Sequence, residues 1–213
     1  MSLAKNESYY SNYRYEMMDF LPKEANTYLE LGCSEGKFGK QIKDLGKTVW
    51  GSEYVPETAE KASLLLDKVL VGDINEHCNE LPDNYFDCII SNDVLEHLTY
   101  PTDTFFKLAP KLTANGYIVA SIPNVRYVKN LYNLIFRKDW KYENEGILDN
   151  THFRFFTEKS IVRFFEEIDF EIVRMEGINP SGNSILKLIN FLTFNFFADA
   201  KYLQFAVLAK KKK

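Results

Sequence analysis

A chain of 213 residues, 46% apolar and 26% charged, is long enough to bury one core and too evenly mixed to be disordered or fibrous. Its net charge of −4 gives no basic field to draw in nucleic acid, so no nucleic-acid partner is expected. Three cysteines, Cys33, Cys78 and Cys88, without C-x-x-C spacing exclude a disulfide framework and a cysteine zinc site.

Residues 1–30 do not combine a basic start, an apolar stretch and a small-residue cleavage site, and no later run reaches the ~20 apolar residues of a spanning helix. A cytoplasmic chain without a transmembrane segment is expected. After an N-terminal cap over 1–25, short β-rich runs near 27–32, 48–53, 68–72, 86–91 and 116–122 alternate with amphipathic stretches at 36–45, 56–66 and 102–112. Pro101-Thr102 starts the last of these helices, and the Asn115-Gly116 turn follows its end. Such alternation predicts an α/β fold, a parallel sheet covered by helices. The rhythm breaks after Ile122: residues 124–156 read as an insertion with a helix at 125–136, on the substrate side of one domain spanning 1–213. A helix at 158–168, a strand near 170–176, an apolar segment at 184–199 and a final strand near 202–209 complete the chain. Ile185, Leu188, Ile189 and Leu192 share helical spacing, which most often means a face packed on the domain, with a dimer surface or a greasy lid for a lipid-linked acceptor as the alternatives.

In an open parallel sheet, ligands bind at the carboxyl ends of the strands. The first such end is Tyr28 to Gly39, YLELGCSEGKFG, whose glycines 32, 36 and 39 suit a tight turn and close ligand approach. Glu53 ends the second strand about 20 residues on, where a carboxylate accepts from a ribose diol, and Tyr54 beside it offers a ring to adenine. Asp73 ends the third strand and suits the exocyclic amine. Each acid alone reads as a solvated loop residue; at successive strand ends they read as a nucleoside site. Because Ser34 and Lys37 stand where G-x-G-x-x-G needs glycine, a nicotinamide oxidoreductase is disfavoured.

YLELGCSEGKFG, VWGSEY, VGDI, NYFDCIISNDVLEHL and GYIVASIPN resemble the ordered motifs of class I S-adenosylmethionine-dependent methyltransferases. The resemblance implies a Rossmann-like, doubly wound sheet of about seven strands, mostly parallel with an antiparallel last strand, with helices on both faces. It also implies that Glu30, Gly32, Cys33, Ser34 and Gly36 surround the methionine part of the cofactor. Glu53 would hold the ribose, Asp73 and Ile74 would contact adenine, and Asn92 would lie near the sulfonium. The family's middle glycine is replaced by Ser34. The lead segment YYSNYRYEMMDFLP also resembles these enzymes, with Arg14 as a donor to the cofactor carboxylate.

Asp93, Glu96 and His97 stand at i, i+3 and i+4, sharing one face if helical, and His152 is placed to join them. Glu96, His97 and His152 are the expected catalytic residues. Their set resembles the magnesium site of some O-methyltransferases, among them ubiquinone-biosynthesis enzymes, so a metal stays open beside a base or a structural role. SIPNVRY and GILDNTHFRFFTEKSIVRFFEE resemble bacterial methyltransferases of surface-polysaccharide pathways. Asn124, Tyr127, Asp149, His152 and Arg154 would face a polar, hydroxyl-bearing acceptor, whereas Phe153, Phe155 and Phe156 are expected in the core. The expected reaction moves methyl from S-adenosylmethionine, leaving S-adenosylhomocysteine, to a small-molecule, glycan or lipid-linked acceptor at oxygen, by a monomer or homodimer. The alternative is a cofactor-binding module of the same fold without catalysis.

Overall fold

The computed structural model describes residues 14–182 and 184–212; most of the expected N-terminal cap lies outside them. Seven strands form one sheet: β1 Thr27–Leu31, β2 Thr48–Glu53, β3 Lys68–Val71, β4 Phe86–Asn92, β5 Leu112–Pro123, β6 Phe170–Pro180 and β7 Tyr202–Lys211. Their order is β3-β2-β1-β4-β5-β7-β6, with β7 antiparallel to both neighbours and β1 to β5 parallel. The antiparallel last strand is therefore present as expected. Strand order reverses between β1 and β4, and that crevice is where an open α/β sheet binds ligands.

Eight helices accompany the strands among the described residues: α1 Tyr15–Met18, α2 Lys37–Lys43, α3 Pro56–Ser63, α4 Ile74–His77, α5 Pro101–Leu108, α6 Val128–Tyr132, α7 Glu158–Glu167 and α8 Ser184–Leu192. Strand side chains alternate between two faces, which divides the core. Leu29, Leu31, Ile89, Ile118 and Ile122 pack with Phe105 of α5 and with Ile161 and Phe165 of α7. Tyr28, Ile90 and Val119 point the other way, toward Met17, Phe38, Ile42 and Ala62 of α1, α2 and α3. Burial of these side chains, at about 1.5–3 kcal/mol each, is the main force holding both helix layers to the sheet.

Local signals set the helix starts. Pro56 and Pro101 open α3 and α5, where a missing N–H costs nothing. Thr157 and Ser160 exchange hydrogen bonds at the start of α7 in a reciprocal cap.

Several expectations need correction. The helix expected at 125–136 is only the short α6, followed by a π-helical turn over Asn133–Arg137. The Asn115-Gly116 turn lies inside β5, where pairing with β4 slips between Phe86↔Leu112 and Cys88↔Tyr117. In α8, Leu188, Ile189 and Leu192 are exposed and do not pack on the domain, whereas Leu186 is buried; the side chain of Ile185 lies outside the described residues. Of the three phenylalanines expected inside, Phe156 alone is buried; Phe155 rests on Trp140, and Phe153 is 59% exposed.

Candidate functional site

The turn after β1 needs left-handed backbone three times: Gly32 has φ +59°, Ser34 +50° and Gly36 +79°. Glycine is required at Gly32 for space as well, since an added Cβ would lie 2.8 Å from Val94 Cγ2. Serine tolerates this conformation at some cost. Here Glu53 holds it, accepting from the Ser34 N–H at 2.8 Å through one carboxylate oxygen and from the Val55 N–H at 2.9 Å through the other. The carboxylate at the end of β2 thus fixes the turn after β1.

Beneath that turn Glu30 is 4% exposed, and burial raises its carboxyl to about 8, against the Gly39 N–H, with a further push from Glu53. The Cys33 side chain is buried against Gly51, where an added Cβ would lie 2.5 Å from its sulfur; only its backbone lines the turn. Burial drives the Cys33 thiol far up, so it is inert as a nucleophile.

Buried polar atoms are normally hydrogen-bonded. Along the carboxyl ends of β1 and β4, Glu30 Oε2, Ser34 Oγ, Ser91 Oγ and both amide atoms of Asn92 are buried without such a partner among the described residues. These donors and acceptors gather at the sheet's reversal point, which is the chemistry of a polar ligand site. At its far side Tyr54 is 73% exposed, Ile74 is buried, and Asp73 accepts from Asn75 N at 2.8 Å as the cap of α4. His77 carried no signal in the sequence, yet its Nε2 bonds the Val71 carbonyl at 2.8 Å and its Nδ1 bonds Glu80 at 2.7 Å. With both nitrogens facing acceptors, its pKa is raised, first by Glu80. It braces the loop that carries Asp73.

Asp93 does not join Glu96 and His97 as the helical spacing predicts. Its φ of +54° ends β4, and Leu95–His97 is a single 3₁₀ turn. The Asp93 carboxylate accepts from Arg14, from Gln204 and, at 3.1 Å, from Ser121. Arg14 also donates to Glu16 at 2.8 Å, so its guanidinium is engaged by carboxylates of the protein itself and does not stand free. Gln204, from the antiparallel strand, had no sequence signal for this role.

Glu96, His97 and His152 do come together. The Glu96 carbonyl accepts from the N–H groups of Phe153 and Arg154 at 2.8 and 3.1 Å, which draws segment 124–156 onto the end of β4. The imidazoles of His97 and His152 meet edge to face at 4.6 Å, and His152 Nε2 lies 3.9 Å from Glu96 Oε1. Backbone carbonyls fix both rings: His152 Nδ1 donates to Ile147 at 2.9 Å and His97 Nδ1 to Thr151 at 3.2 Å. Asn124, expected to face the acceptor, is instead a structural clamp. Its amide donates to the Asp199 and Tyr202 carbonyls and accepts from Arg126 N.

A family model for the methyltransferase domain matches residues 7–175. The mitochondrial ubiquinone biosynthesis O-methyltransferase of Schizosaccharomyces pombe is 30% identical over 120 residues, covering 51% of this chain and 43% of that enzyme, so the chain spans less than half of this relative. A SAM-dependent methyltransferase of Archaeoglobus fulgidus superposes with a TM-score of 0.70 at 20% identity, covering 92% of this chain and 90% of its own. The magnesium protoporphyrin IX methyltransferase of Synechocystis, solved with bound SAH, gives 0.58 at 14% identity, covering 87% and 74%.

Proposed function

The chain belongs to the methyltransferase domain family, and from that premise we propose that it is an S-adenosylmethionine-dependent enzyme that methylates a hydroxyl oxygen of a small or glycan-type acceptor. The observation that carries this reading is the paired imidazoles of His97 and His152 against Glu96, beside the end of β4.

When bound, the cofactor supplies an electrophilic methyl group on its sulfonium. The orphaned polar atoms of Glu30, Ser34 and Asn92 support a methionine-side position for them, and Gly32, Gly36 and the Cys33 backbone shape the same turn. Arg14, held by Asp93, closes that end. Glu53 serves the ribose with the lone pairs left by Ser34 and Val55, while Tyr54, Ile74 and the second oxygen of Asp73 serve adenine. A hydroxyl must lose its proton as its oxygen takes the methyl group. His152 is the acceptor of that proton, with His97 beside it and the Glu96 carboxylate steadying the resulting positive charge. Segment 124–156, which delivers His152, lines the acceptor side of a single domain.

A magnesium ion fits these donors poorly. Glu96, His97 and His152 place three ligand atoms within 4.8 Å of one another, but two are imidazole nitrogens, whereas magnesium prefers an oxygen shell. Asp93, which would add a second carboxylate, is turned to Arg14.

The test is transfer from labelled cofactor to matched acceptor panels bearing hydroxyls or amines, using cell-extract fractions to widen the set. Transfer to the hydroxyl panel supports the reading. Transfer confined to amines overturns it, as does S-adenosylhomocysteine binding without transfer to any acceptor, the behaviour of a binding module.

A further inference from the structure

β5 ends at Pro123, paired with Gln204, and β6 ends at Pro180, paired with Tyr202, both beside the start of β7. Segments 124–156 and 181–201 therefore leave the sheet from the same edge. Arg126 ties them together: it donates to Asp199 at 2.5 and 3.2 Å and to the Phe196 carbonyl at 3.3 Å, and lies 5.7 Å from the Phe196 ring.

Both segments turn apolar side chains outward. The π-helical turn after α6 exposes Leu134, Ile135 and Phe136, the last at 74%. On α8 and the turn after it, Leu188, Phe191, Leu192, Phe194 and Phe196 are exposed, Phe194 at 93%. Eight large apolar side chains on one edge are more than a monomer's scattered surface hydrophobes. The charge beside them is distinctive too. Residues 126–141 hold five basic side chains, Arg126, Lys129, Arg137, Lys138 and Lys141, against the single acid Asp139, in a chain of net charge −4. Arg126 and Lys129 have acidic partners in Asp199 and Glu143, whereas Arg137, Lys138 and Lys141 are exposed next to Trp140 and Tyr142.

We propose that this edge seats on an anionic lipid bilayer. The apolar side chains enter the headgroup boundary, Arg137, Lys138 and Lys141 meet lipid phosphates, and Trp140 and Tyr142 lie at the interface where such rings concentrate. No helix among the described residues is long and apolar enough to cross a membrane, so the contact is peripheral. Charge decides between a bilayer and a second copy of the chain. A two-fold dimer through this edge would bring the same basic surface from both copies and supply no anionic surface to complement it, and interface cores are depleted of charge. An anionic surface complements both features at once. Seating there also brings the segment that carries His152 to the headgroup layer, although the proposal does not rest on the acceptor reading.

The test is co-sedimentation of the full chain with vesicles of phosphatidylcholine alone or mixed with phosphatidylglycerol. The mixed vesicles should bind at least about tenfold more tightly at low salt. Binding should fall by at least about tenfold in R137Q/K138Q/K141Q and in F136S/F191S/F194S, whose changes lie on exposed side chains and leave the melting temperature and S-adenosylhomocysteine affinity unchanged. Equal binding to both vesicle types, or no binding to either, overturns the proposal. So does a wild-type dimer without vesicle association that F136S/F191S/F194S makes monomeric, which would assign this edge to a second copy.

Discussion

The backbone N–H of Ser34 donates to the Glu53 carboxylate at 2.8 Å, tying the turn after β1 to the end of β2. One side chain thus supports the turn after β1 and is the group proposed to hold the ribose. Glu53→Gln removes the charge and faces an amide against a donor, so S-adenosylhomocysteine affinity should fall at least tenfold, corresponding to about 1.5–3 kcal/mol for a hydrogen bond to a charged group. Ser34→Gly keeps the N–H and relieves the left-handed strain but removes the hydroxyl, so its loss of affinity should be smaller than that of Glu53→Gln. Titration calorimetry measures both, and unchanged affinity in Glu53→Gln would remove it from the ribose site.

Glu30 makes stability depend on pH in an unusual direction. Burial lifts its carboxyl to about 8, so the folded chain keeps a proton that the unfolded chain has lost above about 4.5. Between those values the folded state binds more protons, and stability falls as pH rises. Glu30→Gln is neutral throughout and should flatten that slope, gaining a few kcal/mol relative to wild type at about pH 8.5 and much less at about pH 5. Urea unfolding at both pH values checks this; an equal slope in the variant would mean that Glu30 is charged when buried.

The strand ends were legible because apolar runs broken by glycine fix where a buried parallel strand stops, and acids at those ends then fall at known places. Glu53 and Asp73 carried that signal; Glu53 ends β2, and Asp73 stands two residues past β3 as the cap of α4. The turning of Asp93 was not legible: its partners Arg14 and Gln204 are 79 and 111 residues away in sequence, so helical spacing to Glu96 was the only local cue. The same limit applies to α8. Spacing tells which residues share a helix face, but what covers that face depends on the rest of the fold, and Leu188 and Leu192 proved exposed. His77 was missed because its role is to brace a backbone carbonyl, which no motif records.

Gly177 gives a stability prediction away from the cofactor. It pairs with Phe205 across β6 and β7, and the Tyr202 ring covers it so closely that an added Cβ would lie 2.1 Å from ring carbons. Gly177→Ala should cost about 1–3 kcal/mol through this overlap. The double variant Gly177→Ala/Tyr202→Ala should cost less than the sum of its single changes, because the second removes the ring that the first strikes. Thermal or urea unfolding of the three variants tests the coupling, and strict additivity would mean that the ring moves aside freely.

The paired imidazoles yield the sharpest division between a proton acceptor and a metal ligand set. As proton acceptor, His152 should matter to turnover and not to cofactor affinity, so His152→Ala should lower kcat by about 10²–10⁴-fold with S-adenosylhomocysteine binding intact. Glu96→Gln keeps the shape and removes the charge that steadies an imidazolium, so its loss should be smaller than that of His152→Ala. A metal held by Glu96, His97 and His152 predicts a different pattern: each substitution would abolish activity alike, and a chelator would do the same until a cation is restored. Base catalysis instead predicts that a chelator leaves turnover unchanged and that the losses are graded, because the three side chains then act in different roles on one proton.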